Sequence, residues 1–497
     1  FAPKLQAPRS APRFQKYDRE ALAKLAESAT FAAPGSGAGA TGFDSTNSRK
    51  ARSKVKTKNA ANAQAIAPGV PAVPAPSAYD KAADITASVP AGMPGAPPVQ
   101  IGPIRTPLKK RKAHTEPEDP YTPLGIRAGA FDLFPAVELI GGYNTDPGQA
   151  PNGKAAWFYT VVPELRAQSD WSRHELKADL RGSYIGYTPD ETPSLNRPYF
   201  NGRVDGRIDV THDTRIDLAG RVLVSTDNPG SPNLQAGLAK LPIYVTGGGT
   251  IGLGQRFNRF DLSIKGDVQR TVYQQSLLTD GSTVSNDDRN YDQYAGTLRG
   301  GYELSPGLSP FAEIVADTRV HDLNTDSSGF QRNSNGLTGK VGAKFELTRL
   351  LTGEAALGYT RRVYEDPRLE DISGPIGDVS LIYTASALTT VKVLGRSTIG
   401  ESTIPGVSGV FYRDVGVQVD HSFRRWLVGS LKLGFGVDDY VGNDRLDKRY
   451  SAGVGVTYKL NRSLQIKGEF RQDWLQSNAP NADYTASIVM LGVRVQR

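Results

Sequence analysis

Three kinds of cluster in this 497-residue chain invite a chemical reading. The stretch "GGGTIG", Gly247 to Gly252, has the spacing of a dinucleotide-binding loop, which cradles a pyrophosphate only where it follows a strand and opens a helix. Its flanks "IYVT" and "GLGQRF" instead continue a strand, where glycine marks close packing or a bend. The five histidines, His114, His174, His212, His321 and His421, have no partner at metal-ligand spacing and read as interfacial or solvated polar groups. Two acidic runs, "NDDRNYD" (Asn286 to Asp292) and "DDYVGNDRLD" (Asp438 to Asp447), lack the spacing of an EF-hand calcium loop. They read as solvated loops, with divalent bridging to phosphates of a neighbouring surface as the alternative. No serine nucleophile elbow stands out. The absence of cysteine removes disulfides, thiolate zinc sites and cysteine nucleophiles together. The expectation is therefore no enzyme, no catalytic residue, no metal site and no cofactor.

What remains is charge, and its spacing is regular. In "KLNRSLQIKGEFRQDW", Lys467, Glu469, Arg471 and Asp473 share one parity while Leu464, Ile466 and Phe470 share the other. Side chains of a strand alternate between faces, so one face is ionised and the other apolar. The pattern recurs with Lys177, Asp179 and Arg181, with Arg203, Asp205, Arg207 and Asp209, and with Asp261, Lys265 and Asp267.

Some eighteen such runs follow one another from about residue 135 to the end of the chain. Most exceed the roughly 9–11 residues that a tilted strand needs to cross a bilayer, where ordinary sheet strands have about five or six. Short links such as Asn258-Arg259 and Asn461-Arg462 take turns with long polar ones such as "TPDETPSLNRP" and "LLTDGSTVSNDDRN". Short periplasmic turns and longer outer loops produce that asymmetry. The four tryptophans fall at run ends, Trp157 and Trp474 toward the long loops, Trp171 and Trp426 toward the short turns, as interfacial girdles require. Phe257, Phe260, Tyr187, Tyr199, Tyr291 and Tyr440 extend the girdles in this reading. A soluble sandwich accounts for the alternation but not for the strand lengths, the sided loops or the tryptophans. The expected fold is all-β: a transmembrane antiparallel up-and-down β-barrel of about eighteen strands (16–18), with the apolar face in lipid and the charged residues named above lining the pore.

The net charge of +8 averages two unlike regions. Residues 1–118 hold 18 Lys/Arg and 8 Asp/Glu, and the remainder holds 41 and 43. The first region is rich in Ala, Pro, Gly and Ser, too poor in apolar residues to offset its ordering entropy, and reads as a disordered periplasmic arm ahead of a barrel at 119–497. One stretch within it, Tyr17 to Ala29, suits a short amphipathic helix. The arm's basic blocks are Arg49, Lys50, Arg52, Lys54, Lys56 and Lys58, then Lys109, Lys110, Arg111 and Lys112. In a periplasmic tail they suit lipid headgroups, peptidoglycan, an anionic polysaccharide or simple solubility rather than nucleic acid. The chain starts at Phe1 with no leader pattern, which reads as a mature form whose export signal has been removed.

The segment "YTPLGIRAGAFDLFPAVELIGGYNTDP" resembles the opening signature of the outer-membrane family called putative β-barrel porin 2, through Tyr121, Pro123, Gly125, Arg127, Gly129, Phe131, Pro135 and Tyr143. The ending "LGVRVQR" is similar to its last strand. The resemblance covers about residues 119–497 and implies an outer-membrane barrel of a Gram-negative bacterium, in contact with lipid and lipopolysaccharide, some members assisting exopolysaccharide export. The chain ends in Arg497 rather than an aromatic residue, which shifts docking to the assembly machinery onto Val493 and Val495. Two functions stay open: a channel for solutes or an accessory to polymer export, and a structural protein that tethers the membrane through its arm. Within the signature, "GIRAGAF" reads either as an extra short strand or as a plug.

Overall fold

The computed structural model describes residues 120–346 and 351–497. The basic arm, its blocks at 49–58 and 109–112, the helical stretch at 17–29 and His114 lie outside the described residues.

Alternation dictates the wall. Along β2 (Phe131–Asn144), Val137 and Leu139 are exposed while Glu138 and Ile140 are buried. The same two-residue rhythm runs through β3 (Ala156–Ser169), β4 (Glu175–Thr188), β5 (Arg197–Asp209), β6 (Thr214–Thr226), β7 (Ile243–Phe257) and β8 (Phe260–Tyr273). Two short strands, β9 (Ser276–Leu277) and β10 (Thr283–Val284), form a hairpin inside the loop that follows. The wall resumes with β11 (Tyr291–Tyr302), β12 (Leu308–His321), β13 (Ser334–Glu346), β14 (Leu351–Tyr364), β15 (Ile372–Ser386) and β16 (Thr389–Gly400). It ends with β17 (Gly409–Arg424), β18 (Leu427–Val441), β19 (Leu446–Lys459), β20 (Leu464–Ser477) and β21 (Tyr484–Gln496).

Each wall strand pairs antiparallel with the next, and β21 returns to β2 with Val495 opposite Val137. β2–β8 and β11–β21 thus close an eighteen-strand ring. Closure is what admits a sheet to hydrocarbon, because an open edge would expose unpaired N–H and C=O groups. "GIRAGAF" supplies a short extra strand, β1 (Ile126–Ala128), paired with the first residues of β2. The two-residue turn between β7 and β8 is possible because Asn258 adopts φ +54°, a left-handed conformation that asparagine tolerates.

The outward face is apolar at mid-strand: Leu357 is 70 % exposed and its cross-strand neighbour Val341 66 %. Among the described residues no helix is long and apolar enough to cross a membrane; strands do the crossing. Trp157 packs against Tyr143 and Trp171 against Phe131, at opposite ends of the wall. Trp426 packs against Tyr458, and Trp474, half-buried, pairs with Tyr450. Phe257 and Phe260 also face outward.

Four tyrosines correct the sequence reading. Tyr187, Tyr199, Tyr291 and Tyr440 are buried on the inward side and belong to no girdle. Parity decides this: Tyr187 shares the face of Arg181 and Ser183, and closeness to a loop was not the relevant criterion. With Phe158, Tyr244 and Tyr273, Tyr187 and Tyr199 join an apolar cluster inside the long-loop end of the barrel.

A charged lumen closed at one end

The inward positions carry charge around the ring, and the charges pair along single strands, between neighbours and across an intervening strand. Lys177 and Arg207 share Glu175, and Arg207 also reaches Asp209 at 3.1 Å. Arg203 grips Asp205 at 2.7 Å, Asp179 meets Arg166 at 3.0 Å, and Asp267 meets Arg221 at 2.6 Å. Lys467 reaches Glu138 at 2.8 Å, Glu469 accepts from Lys432 at 3.0 Å, and Arg471 pairs with Asp473 at 3.0 Å. Arg181, Asp261 and Lys265 occupy the same inward face. Sequence reasoning missed Arg494, which ties β21 to Glu138 of β2 and Glu164 of β3 where the ring closes. Its signal was present, since Arg494 alternates with Val493 and Val495.

Glycine makes room for these bridges. On β17, β18 and β19, Asp414, Gly436 and Arg449 lie in one cross-strand row, and the Arg449 guanidinium passes over Gly436 to reach Asp414 at 2.8 Å. A Cβ on Gly436 would sit 2.4 Å from the Asp414 carboxylate and 2.8 Å from the guanidinium. Asp317, Gly336 and Arg362 repeat the arrangement on β12, β13 and β14. Within "GGGTIG", Gly252 likewise lies under the stem of Lys265, 2.9 Å from the position of a Cβ. These glycines are inward seats for long cations in a strand, with no helix behind them. Gly436→Val is expected to destabilise the barrel by about 1–3 kcal/mol through overpacking, read as a lower urea midpoint. Gly339→Val, where a Cβ meets nothing within 4 Å, is the control expected to leave the midpoint unchanged.

Carboxylates of both acidic runs bond within the protein: in the first, Asp288 accepts from the Ser327 amide and Asp292 pairs with Arg270. Asp438 accepts from Arg449 at 2.5 Å, and Asp447 accepts from Arg445 and Ser477. Of the histidines, His174 accepts from the Asp209 amide, His212 meets Asp213, His421 meets Thr389, and His321 is buried on the inward face.

At the long-loop end, loops meet across the lumen. Loop 401–408, between β16 and β17, crosses to loop 227–242, between β6 and β7 on the far side of the ring. There the Thr403 amide donates to the Asn233 side chain at 3.0 Å, and the Thr403 hydroxyl donates to the Asn233 carbonyl at 3.2 Å. Glu401 accepts from Arg319 of β12, and Arg332 donates to the carbonyls of Val407 and Ile404 at 2.9 and 3.3 Å. Arg289, from the loop after β8, stacks 3.9 Å over Tyr273 and pairs with Asp227 at 2.9 Å. Burial pushes the Glu401 carboxyl up, but the surrounding Arg319, His321 and Arg362 hold it below its ordinary 4.5. A carboxylate so depressed contributes fully above pH 4.5 and loses its contribution as pH falls through the lowered value. Conductance across the loop end is therefore expected to be level from pH 7 to pH 5 and to rise only once the pH falls below the ordinary 4.5.

An even-stranded closed ring, lipid-ready outside and charged within, defines a porin-like outer-membrane β-barrel. Residues 119–497 match the family model described as putative beta-barrel porin 2, and the chain belongs to that family. Porin-like barrels are channels rather than enzymes. Solved structures similar in fold include the outer membrane protein opdK from Pseudomonas aeruginosa, with 13 % identity over 74 % of this chain and 99 % of that one and a TM-score of 0.31. OccAB2 from Acinetobacter baumannii has 12 % identity over 74 % and 98 %, with a TM-score of 0.38. A bacterial polysaccharide outer membrane secretin has 9 % identity over 73 % and 98 %, with a TM-score of 0.30. No curated protein matches the chain.

Proposed function

We propose that the protein is a passive outer-membrane conduit for hydrophilic solutes, with the long loops outside the cell. The supporting observation is the ionised inward face carried by strand after strand around an eighteen-strand ring. Rings of that size usually leave an aqueous channel. Selectivity would come from lumen charge and from the loops at the mouth. The lumen residues have no reaction to perform; cations and carboxylates alternate there so that a hydrated solute meets both signs. Service in exopolysaccharide export is the version of this function that family kinship favours.

The excess of ten basic over acidic residues in 1–118 favours a second reading, in which the arm at 1–118 holds peptidoglycan or another anionic surface on the periplasmic side. Planar-bilayer recordings of the intact chain and of 119–497, with cell-wall sedimentation of both, separate the two. A conduit keeps stable conductance steps without the arm. A tether loses cell-wall association while the barrel still inserts. Insertion without steps in either form sinks the conduit.

A further inference from the structure

Among the described residues, the ladder of the wall parts between β15 and β16. β15 and β16 are paired only from Val379↔Gly395 toward the short-turn end. Beyond it, Ile372–Asp378 continue to pair with β14, and Arg396–Gly400 continue to pair with β17, but the two segments no longer pair with each other. Ser397 bridges the start of the gap, its hydroxyl accepting from the Gly377 amide at 3.1 Å.

The upper hairpin lies inward of the neighbouring wall. By register Phe411 belongs to the outward face of β17, that of the exposed Val415, yet it is 1 % exposed. It packs with Tyr364, Ile372 and Ile376, which are inward residues of β14 and β15. The fit is close: a Cβ on Gly374 would lie 2.7 Å from the Phe411 ring. The outer face of β17 therefore rests on the inner face of the neighbouring wall, and the hairpin tip carries loop 401–408 over the lumen.

We propose that the tip of the β16–β17 hairpin is a gate, docked in the lumen when closed, and that the vacated edge of β15 is where it returns when the channel opens. This inference rests on the conduit reading. Continuing the existing register would set Ile376 against Thr398 and Gly374 against Gly400, completing the ladder and withdrawing loop 401–408 from the mouth. The edge is suited to being left. Residues alternate in the direction of their amides, and the Gly377 amide faces β16, so Pro375 does as well; it has no N–H to orphan when the hairpin leaves. The same missing donor keeps the completed ladder short of one bond, so that neither position is locked.

With no native cysteine, paired cysteines trap each position separately. Asn233→Cys with Thr403→Cys should cross-link on oxidation and abolish the open steps until reductant is added. Gly374→Cys with Gly400→Cys should cross-link as the hairpin returns to the wall. A minor open state is populated at about 0.1–10 %, so that lock should raise mean current on the order of ten- to a thousand-fold. Phe411→Ala, which removes the dock without adding bulk, should raise it in the same direction. Heat-modified migration checks that each variant is folded. Failure of the Gly374/Gly400 pair to cross-link, or steps indifferent to both locks and to Phe411→Ala, would overturn the gate and leave the conduit standing. A formed open lock that passes no current would instead remove the conduit itself.

Discussion

An arginine in place of Leu357 will cost the barrel about 2–4 kcal/mol, because the side chain at that site meets the middle of the hydrocarbon. Leu357 is the most exposed large apolar residue of the wall, and it sits at the centre of β14 opposite the equally outward Val341. The cost depends on depth. Four residues farther along the same outward row, the chain already carries Arg361, which pairs with Asp371 at 2.8 Å. Val363→Arg, next in that row, should therefore cost only about 0–1 kcal/mol. Urea midpoints of the two variants in liposomes give the comparison, and equal losses would place β14 outside a bilayer.

The second large effect lies on the other face. Arg449 is 2 % exposed and holds the carboxylates of Asp414 and Asp438 together. Arg449→Leu keeps the bulk but leaves two buried carboxylates without their shared cation, a change of the kind that costs about 3–5 kcal/mol. Neutralising the acids as well, with Asp414→Asn and Asp438→Asn, should recover most of that loss, since a fully neutral row has no charge left to satisfy. If the triple variant remains as unstable as Arg449→Leu alone, the packing of the side chain matters more than its charge.

The fold was legible because a barrel writes its rule into every strand. Val137-Glu138-Leu139 and Ile466-Lys467-Gly468-Glu469-Phe470 each state which face is lipid, and the alternation of short and long links states which strands are neighbours. Local parity also fixed the inward side for Lys177, Asp205, Asp267 and Glu469. The tyrosines went astray because proximity to a loop is not orientation: Tyr187 and Tyr440 lie at strand ends but on the inward parity. What no local pattern could carry is contact between distant segments. Thr403 meets Asn233 across 170 residues of chain, and Phe411 reads as a lipid-facing aromatic until β16 is seen to leave β15. Closure of the mouth is a property of the assembled ring, and only Pro375 and the small Gly374 hint at it in sequence.

A barrel of this kind requires one face of each strand to meet lipid and the other to meet water. Single cysteines along β14 and β15, reconstituted in liposomes and treated with a charged, membrane-impermeant thiol reagent, test it most directly. Glu354→Cys, and Asp378→Cys on the neighbouring β15, whose inward side chains are only partly buried, should be labelled, while Leu357→Cys and Tyr359→Cys should stay protected. Labelling of the outward pair with protection of the inward pair would turn the barrel inside out and contradict the account.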